Sequence, residues 1–118
     1  TCYKAQTLAT TNALVARAGL TPEQYSVSFQ SRLGREPWLE PYTDFIIPQL
    51  VKTGKKRILV MTPAFVSDCL ETLEEIAMEG KEQFLEAGGE SFVAIPCLND
   101  HPAWIDFLAK LARACSTE

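Results

Sequence analysis

The chain has 118 residues, 47% of them hydrophobic and 22% charged, with a formal net charge of −4, which bounds it to one globular domain with a real core. The acidic balance, with no basic patch interleaved with aromatics, argues against nucleic acid as a partner. The longest apolar runs fall far short of the roughly 20 residues that a bilayer-spanning helix needs.

Tyr3 through Ala18 is rich in Ala and Leu with no internal Gly or Pro, which predicts a helix closed by Gly19. Thr21-Pro22-Glu23 makes a turn, after which Tyr25, Val27 and Phe29 alternate with Ser26, Ser28 and Gln30 as in a short strand. From Ser31 to Pro41 runs a connection whose two prolines forbid regular structure, and Trp38 within it is either packed inward or faces a ligand. Thr43 can cap a helix towards Val51 that contains Pro48, with Gly54 ending it. The continuous run Ile58 to Met61 reads as a strand buried on both faces. A long acidic helix follows, capped by Ser67 and closed by Gly88-Gly89. Phe92 to Ile95 is the next strand, ended by Pro96. Pro102 opens the last helix, with Trp104, Phe107, Leu108, Leu111, Ala112 and Cys115 at three-and-four spacing. Alternation of this kind predicts an α/β fold: three αβα layers around a parallel sheet of about three to four strands.

Ligands in such sheets gather at the carboxyl ends of the strands. Those ends are Gln30 to Arg35, Met61 to Ser67 and Pro96 to Asn99. The acidic helix leaves from the middle one. At about 100° per residue, Asp68, Glu71, Glu75, Glu79, Glu82 and Glu86 fall within an arc of roughly 80°, opposite an apolar stripe of Val66, Leu70, Leu73, Ala77 and Phe84. Such a stripe is either a solvated face or a row of carboxylates that relays protons or a hard divalent cation. Cys69, beside Asp68, is either a small buried hydrophobe or a thiol activated by the helix N-terminus. His101, the sole histidine, falls in a helix entry, where turn or capping duty is expected. Cys2, Cys69, Cys97 and Cys115 are scattered, with no CxxC pair and no zinc-ligand spacing, so reduced structural thiols of a cytoplasmic protein are expected; an iron–sulfur cluster is the weaker alternative. No initiator Met and no signal peptide are visible, so the chain reads as a piece of a longer protein.

Three strings carry a resemblance. SFQSRLGREPWLEPYTD from Ser28 to Asp44, FVSDCLETLEE from Phe65 to Glu75, and IPCLN from Ile95 to Asn99 are similar to the carboxy-terminal third of ferrochelatases, the enzymes that insert ferrous iron into protoporphyrin IX. The resemblance implies a chelatase fold of two similar α/β halves around a porphyrin cleft, with the amino-terminal half outside this chain. It implies Glu71 as the catalytic glutamate and Asp68, Glu75 and Glu79, with Cys69 nearby, as a metal or proton path along a distorted helix. Trp38 and Phe65 would border the porphyrin, and Glu71 and Cys69 would be the contacts for the entering metal. Protoporphyrin IX and ferrous iron are then substrates, no prosthetic group is expected, and peripheral membrane contact belongs to the whole protein.

Cys69 stands where many members of that family have His, and Gly80 stands where a bulky residue is usual. Gly80 inside a helix costs about 1 kcal/mol relative to Ala and would mark the irregularity. The family's principal active-site histidine would precede this chain, so the fragment alone is expected to be inactive. A noncatalytic porphyrin- or metal-binding α/β module, and a related cobalt or nickel chelatase, are the alternatives.

Overall fold

A computed structural model describes residues 2–30 and 36–116. The expected Ser31-Arg32-Leu33-Gly34-Arg35 end of the first strand therefore lies outside the described residues. Helix α1 runs from Tyr3–Ala18, and Gly19 ends it at φ 70°, where a left-handed residue lets the next two N–H groups reach back to Ala16 and Val15. A short 3₁₀ turn, Pro22–Gln24, follows a capping box in which the Gln24 side chain accepts the Thr21 N–H at 2.8 Å.

The strand expected over Tyr25 to Phe29 is reduced to one parallel bridge between Phe29 and Tyr42. The Phe29 N–H donates to Pro41 at 2.9 Å, and the Thr43 N–H donates to Phe29 at 3.0 Å. The segment does not extend into a ladder because its partner contains Pro41, which has no N–H to give. The Ser28 and Thr43 hydroxyls, 2.8 Å apart, hold the bridge from the side.

Helix α2, Thr43–Lys52, keeps Pro48 in its interior. A proline there denies the carbonyl four residues back its usual donor. That carbonyl, on Asp44, instead accepts the Gln83 side-chain amide at 3.4 Å, tying α2 to the helix beside it.

Strands β1, Arg57–Val60, and β2, Ser91–Ala94, pair in parallel with Ile58 opposite Phe92 and Val60 opposite Ala94. On one face these residues pack against Ile47 and Val51 of α2 and against Ile76 and Phe84 of the intervening helix. Phe84 is wholly buried, its ring 5.8 Å from that of Phe92. On the other face Leu59 is 70% exposed and Val93 also stands in solvent. Helix α4, Pro102–Ser116, buries none of its residues.

The α/β architecture with a parallel sheet is as the sequence predicts. Among the described residues the sheet has two strands rather than three or four, and a packed helix layer covers only one of its faces.

Candidate active site on a π-helix

The helix between the strands begins at Leu70, not at Ser67. Over Glu71–Gly80 it is wound as a π-helix, and it tightens into helix α3 over Lys81–Glu86. Runs of i→i+5 bonding are rare, and they concentrate at functional sites. Here the winding decides which side chains are buried. With i→i+5 bonds each residue turns by roughly 80–85°, so residues four apart lag a full turn by about 20–40° where an α-helix leads it by about 40°, and the α-helical turn that follows brings the row back. Thr72, Ile76, Gly80 and Phe84 therefore form the buried row.

The apolar stripe expected from α-helical periodicity is displaced accordingly. Leu70 is 68% exposed, while Leu73 and Val66 are also solvent-facing. Gly80 fits the irregularity expected of it. A Cβ there would meet Ile47 Cδ1 at 3.2 Å, the Glu75 carbonyl at 3.3 Å and Phe92 Cζ at 3.5 Å, so the helix sits close against α2 and the sheet.

Glu71, Glu75 and Glu79 precede the buried row by one residue each, and the same winding keeps them in one file along its edge. Glu75 and Glu79 line a cleft of about 450 Å³ together with Gln83 of the same helix and with Phe29, Gln30, Tyr42 and Asp44; Glu71 is not among its lining residues. Asp68 does not join that file. It lies in the loop before the helix, where its carboxylate accepts from the Thr72 hydroxyl at 2.9 Å, the Asn99 amide at 2.8 Å and the Cys97 N–H at 3.3 Å. Hydrogen bonds from Asn99, Thr72 and Cys97 hold its carboxyl below the ordinary carboxylate range.

Glu71 is also held low, first by a hydrogen bond from the Cys69 side chain and then by its own backbone N–H. It is thus a carboxylate at neutral pH, with Cys69 beside it. Cys97 is the opposite case: burial pushes its thiol up, and the adjacent Asp68 charge adds to that, against a lowering hydrogen bond with the Thr62 hydroxyl 3.6 Å away. Among the described residues, no three of His, Cys, Asp and Glu converge into a cation cage. Glu71 and Cys69 are neighbours, and among the described residues no third such ligand joins them.

Trp38 is 43% exposed, and its indole N–H donates to the Gln30 carbonyl at 3.0 Å. The Gln30 side chain in turn donates to the Glu71 carbonyl at 2.9 Å. The Trp38 loop is thereby joined to the first turn of the π-helix. Phe65 is half-buried in a turn closed by its N–H to the Thr62 carbonyl at 3.0 Å. His101 accepts the Ala103 N–H on Nδ1 at 3.2 Å, which is the capping duty expected of it.

Thr72, Asn99 and Gln30 are the site's connectors that sequence reasoning did not single out. Asn99 alone carried a local sign, since Asn tolerates the left-handed φ of 48° that it adopts before the last helix.

Fold and site together define an α/β domain that presents a file of carboxylates on a π-helix beside the carboxyl ends of two parallel strands. The ferrochelatase family model matches residues 1–115, and the chain belongs to that family. It is 67% identical over 113 residues to a ferrochelatase of Opitutus terrae, covering 96% of this chain and 33% of the relative. It is 61% identical over 111 residues to one of Pseudomonas aeruginosa strain LESB58 (94% and 33%), and 57% identical over 112 residues to one of Pseudomonas putida strain W619 (95% and 33%). The chain thus spans about a third of the length of these relatives.

Proposed function

We propose that the full-length protein carrying this chain inserts ferrous iron into protoporphyrin IX, and that this chain supplies the carboxylate machinery for it. The observation that supports the reading is the placement of Glu71 in the first turn of the π-helix, four and eight residues ahead of Glu75 and Glu79, which line the cleft. Metallation replaces two pyrrole N–H protons by one divalent cation, so two protons must leave and a hydrated cation must shed water. Glu71 takes a pyrrole proton. Glu75 and Glu79 pass protons or the cation between Glu71 and the solvent.

Trp38 and Phe65 border the macrocycle. The rest of the porphyrin site belongs to the amino-terminal part of the same protein. Four free cysteines fit a reducing, cytoplasmic setting.

Replacing Glu71 by Gln in the full-length protein tests the reading. Zinc insertion into a soluble porphyrin, followed by visible absorption, is expected to slow about 100-fold or more, the loss typical of a removed general base. A variant with near-normal turnover would contradict it.

A further inference from the structure

The loops that leave β1 and β2 are laced together around Asp68. The Asn99 N–H donates to the Val66 carbonyl at 2.9 Å. The Asn99 side chain meets Asp68 twice, its Oδ1 accepting the Asp68 N–H at 2.8 Å and its Nδ2 donating to Asp68 Oδ2 at 2.8 Å. Cys97 adds its N–H to the same oxygen. On the other side of Asp68, Oδ1 accepts from Thr72, which is 5% exposed and whose hydroxyl oxygen also accepts the Cys69 N–H at 2.9 Å.

A carboxylate offers about four lone-pair positions, and donors from Thr72, Asn99 and Cys97 already occupy three of those of Asp68, two on Oδ2 and one on Oδ1. To hold a cation through both oxygens it would have to release the donors on Oδ2. Among the described residues, Glu71, three residues on, has no such set of partners from another loop. The lacing runs from Asn99 through Asp68 and Thr72 to the turn that fixes where Glu71 begins.

We propose that Asp68 and Asn99 form one brace that positions Glu71, and that Asp68 is a positioning residue, not a carrier of protons or iron. The inference rests on the reading of Glu71 as the base. It makes Asn99, which has no carboxylate, as important to turnover as Asp68. Asn99→Ala leaves the Asp68 carboxylate in place and less encumbered. A carrier would work as well or better in that variant, and a brace would fail.

The test is a cycle of Asp68→Asn, Asn99→Ala and the double variant in the full-length protein, read as zinc insertion, with amide hydrogen exchange on this chain alongside. Each single variant is expected to lower kcat about 10–100-fold, the range seen when a residue supporting a functional group is removed. KM for the porphyrin should stay within about twofold, and the double variant should be no worse than the poorer single, as for two halves of one unit. Exchange at Asp68, Cys97 and Asn99 should speed up while the Phe84 and Phe92 amides stay protected, which separates a lost brace from a lost fold.

Asn99→Ala with full kcat, or single effects that multiply in the double variant, would overturn the brace. If the unmodified full-length protein inserts no metal, the functional reading fails. The exchange data then decide the brace alone: unchanged protection at Asp68, Cys97 and Asn99 in Asn99→Ala would overturn it.

Discussion

The helix carrying Glu71 and helix α4 look alike in sequence, each with apolar residues at three-and-four spacing and a polar opposite side, yet only one of them is packed. The first buries Ile76, Gly80 and Phe84 against α2 and the sheet, with Thr72 buried beside Asp68 at its start. In α4, Ile105, Phe107 and Leu111 are about half exposed and no residue is buried. Helix α1 likewise buries nothing. An amphipathic period shows which face a helix can bury, whereas burial needs a partner surface, and most helical stability comes from that packing. The Cα radius of gyration, 16.2 Å, exceeds the roughly 13–14 Å of a compact domain this long, in keeping with end helices that have not closed on the core.

The contrast can be broken most forcefully at Phe84. Phe84→Ala empties the centre of the packed region and should cost about 3–5 kcal/mol, read as a lower urea midpoint. Gly89 is next, because an added Cβ would run into the Phe84 ring. Gly89→Ala should cost about 1–3 kcal/mol through overpacking, measured in the same way.

Asp68 gives a pH-dependent effect. Its folded-state pKa is depressed by Asn99, Thr72 and Cys97, so its contribution is fully present above the ordinary carboxylate range and is lost as pH falls through the lowered folded value. Urea midpoints of the native chain and of Asp68→Asn should therefore differ near neutrality and converge in acid; a gap constant with pH would contradict this. The smallest effect belongs to α4. Leu111→Ala should change the stability of this chain by no more than about 0.5 kcal/mol, and a loss above about 2 kcal/mol would mean that α4 is packed after all.

Much of this was legible locally. Gly19 and Pro102 marked the end of α1 and the start of α4, and the apolar runs located both strands to within a residue. Such signals sit in the backbone preferences of single residues. The π winding did not show itself except through Gly80, whose missing side chain lets the helix lie close to Ile47 and Phe92. Reading the helix at 100° per residue put Leu70 and Leu73 in the core and Asp68 on the acidic stripe.

The alternation from Tyr25 to Phe29 looked like a strand because nothing in those residues reveals that their partner would be Pro41. The pairing of Asp68 with Asn99 spans 31 residues, and no periodicity reports it. Glu71, Trp38 and Phe65 came from resemblance to a family, and the geometry adds how Gln30 connects the Trp38 loop to the Glu71 turn.

We propose that this chain brings Glu71, Glu75 and Glu79 to a site completed by the rest of the protein. Zinc insertion into a soluble porphyrin by this chain alone, beside the full-length protein, tests it most directly. Turnover by the full-length protein and none by the chain is the expected result. Insertion by the chain alone at a comparable rate would contradict it, because Glu71, Glu75 and Glu79 would then suffice without the missing wall.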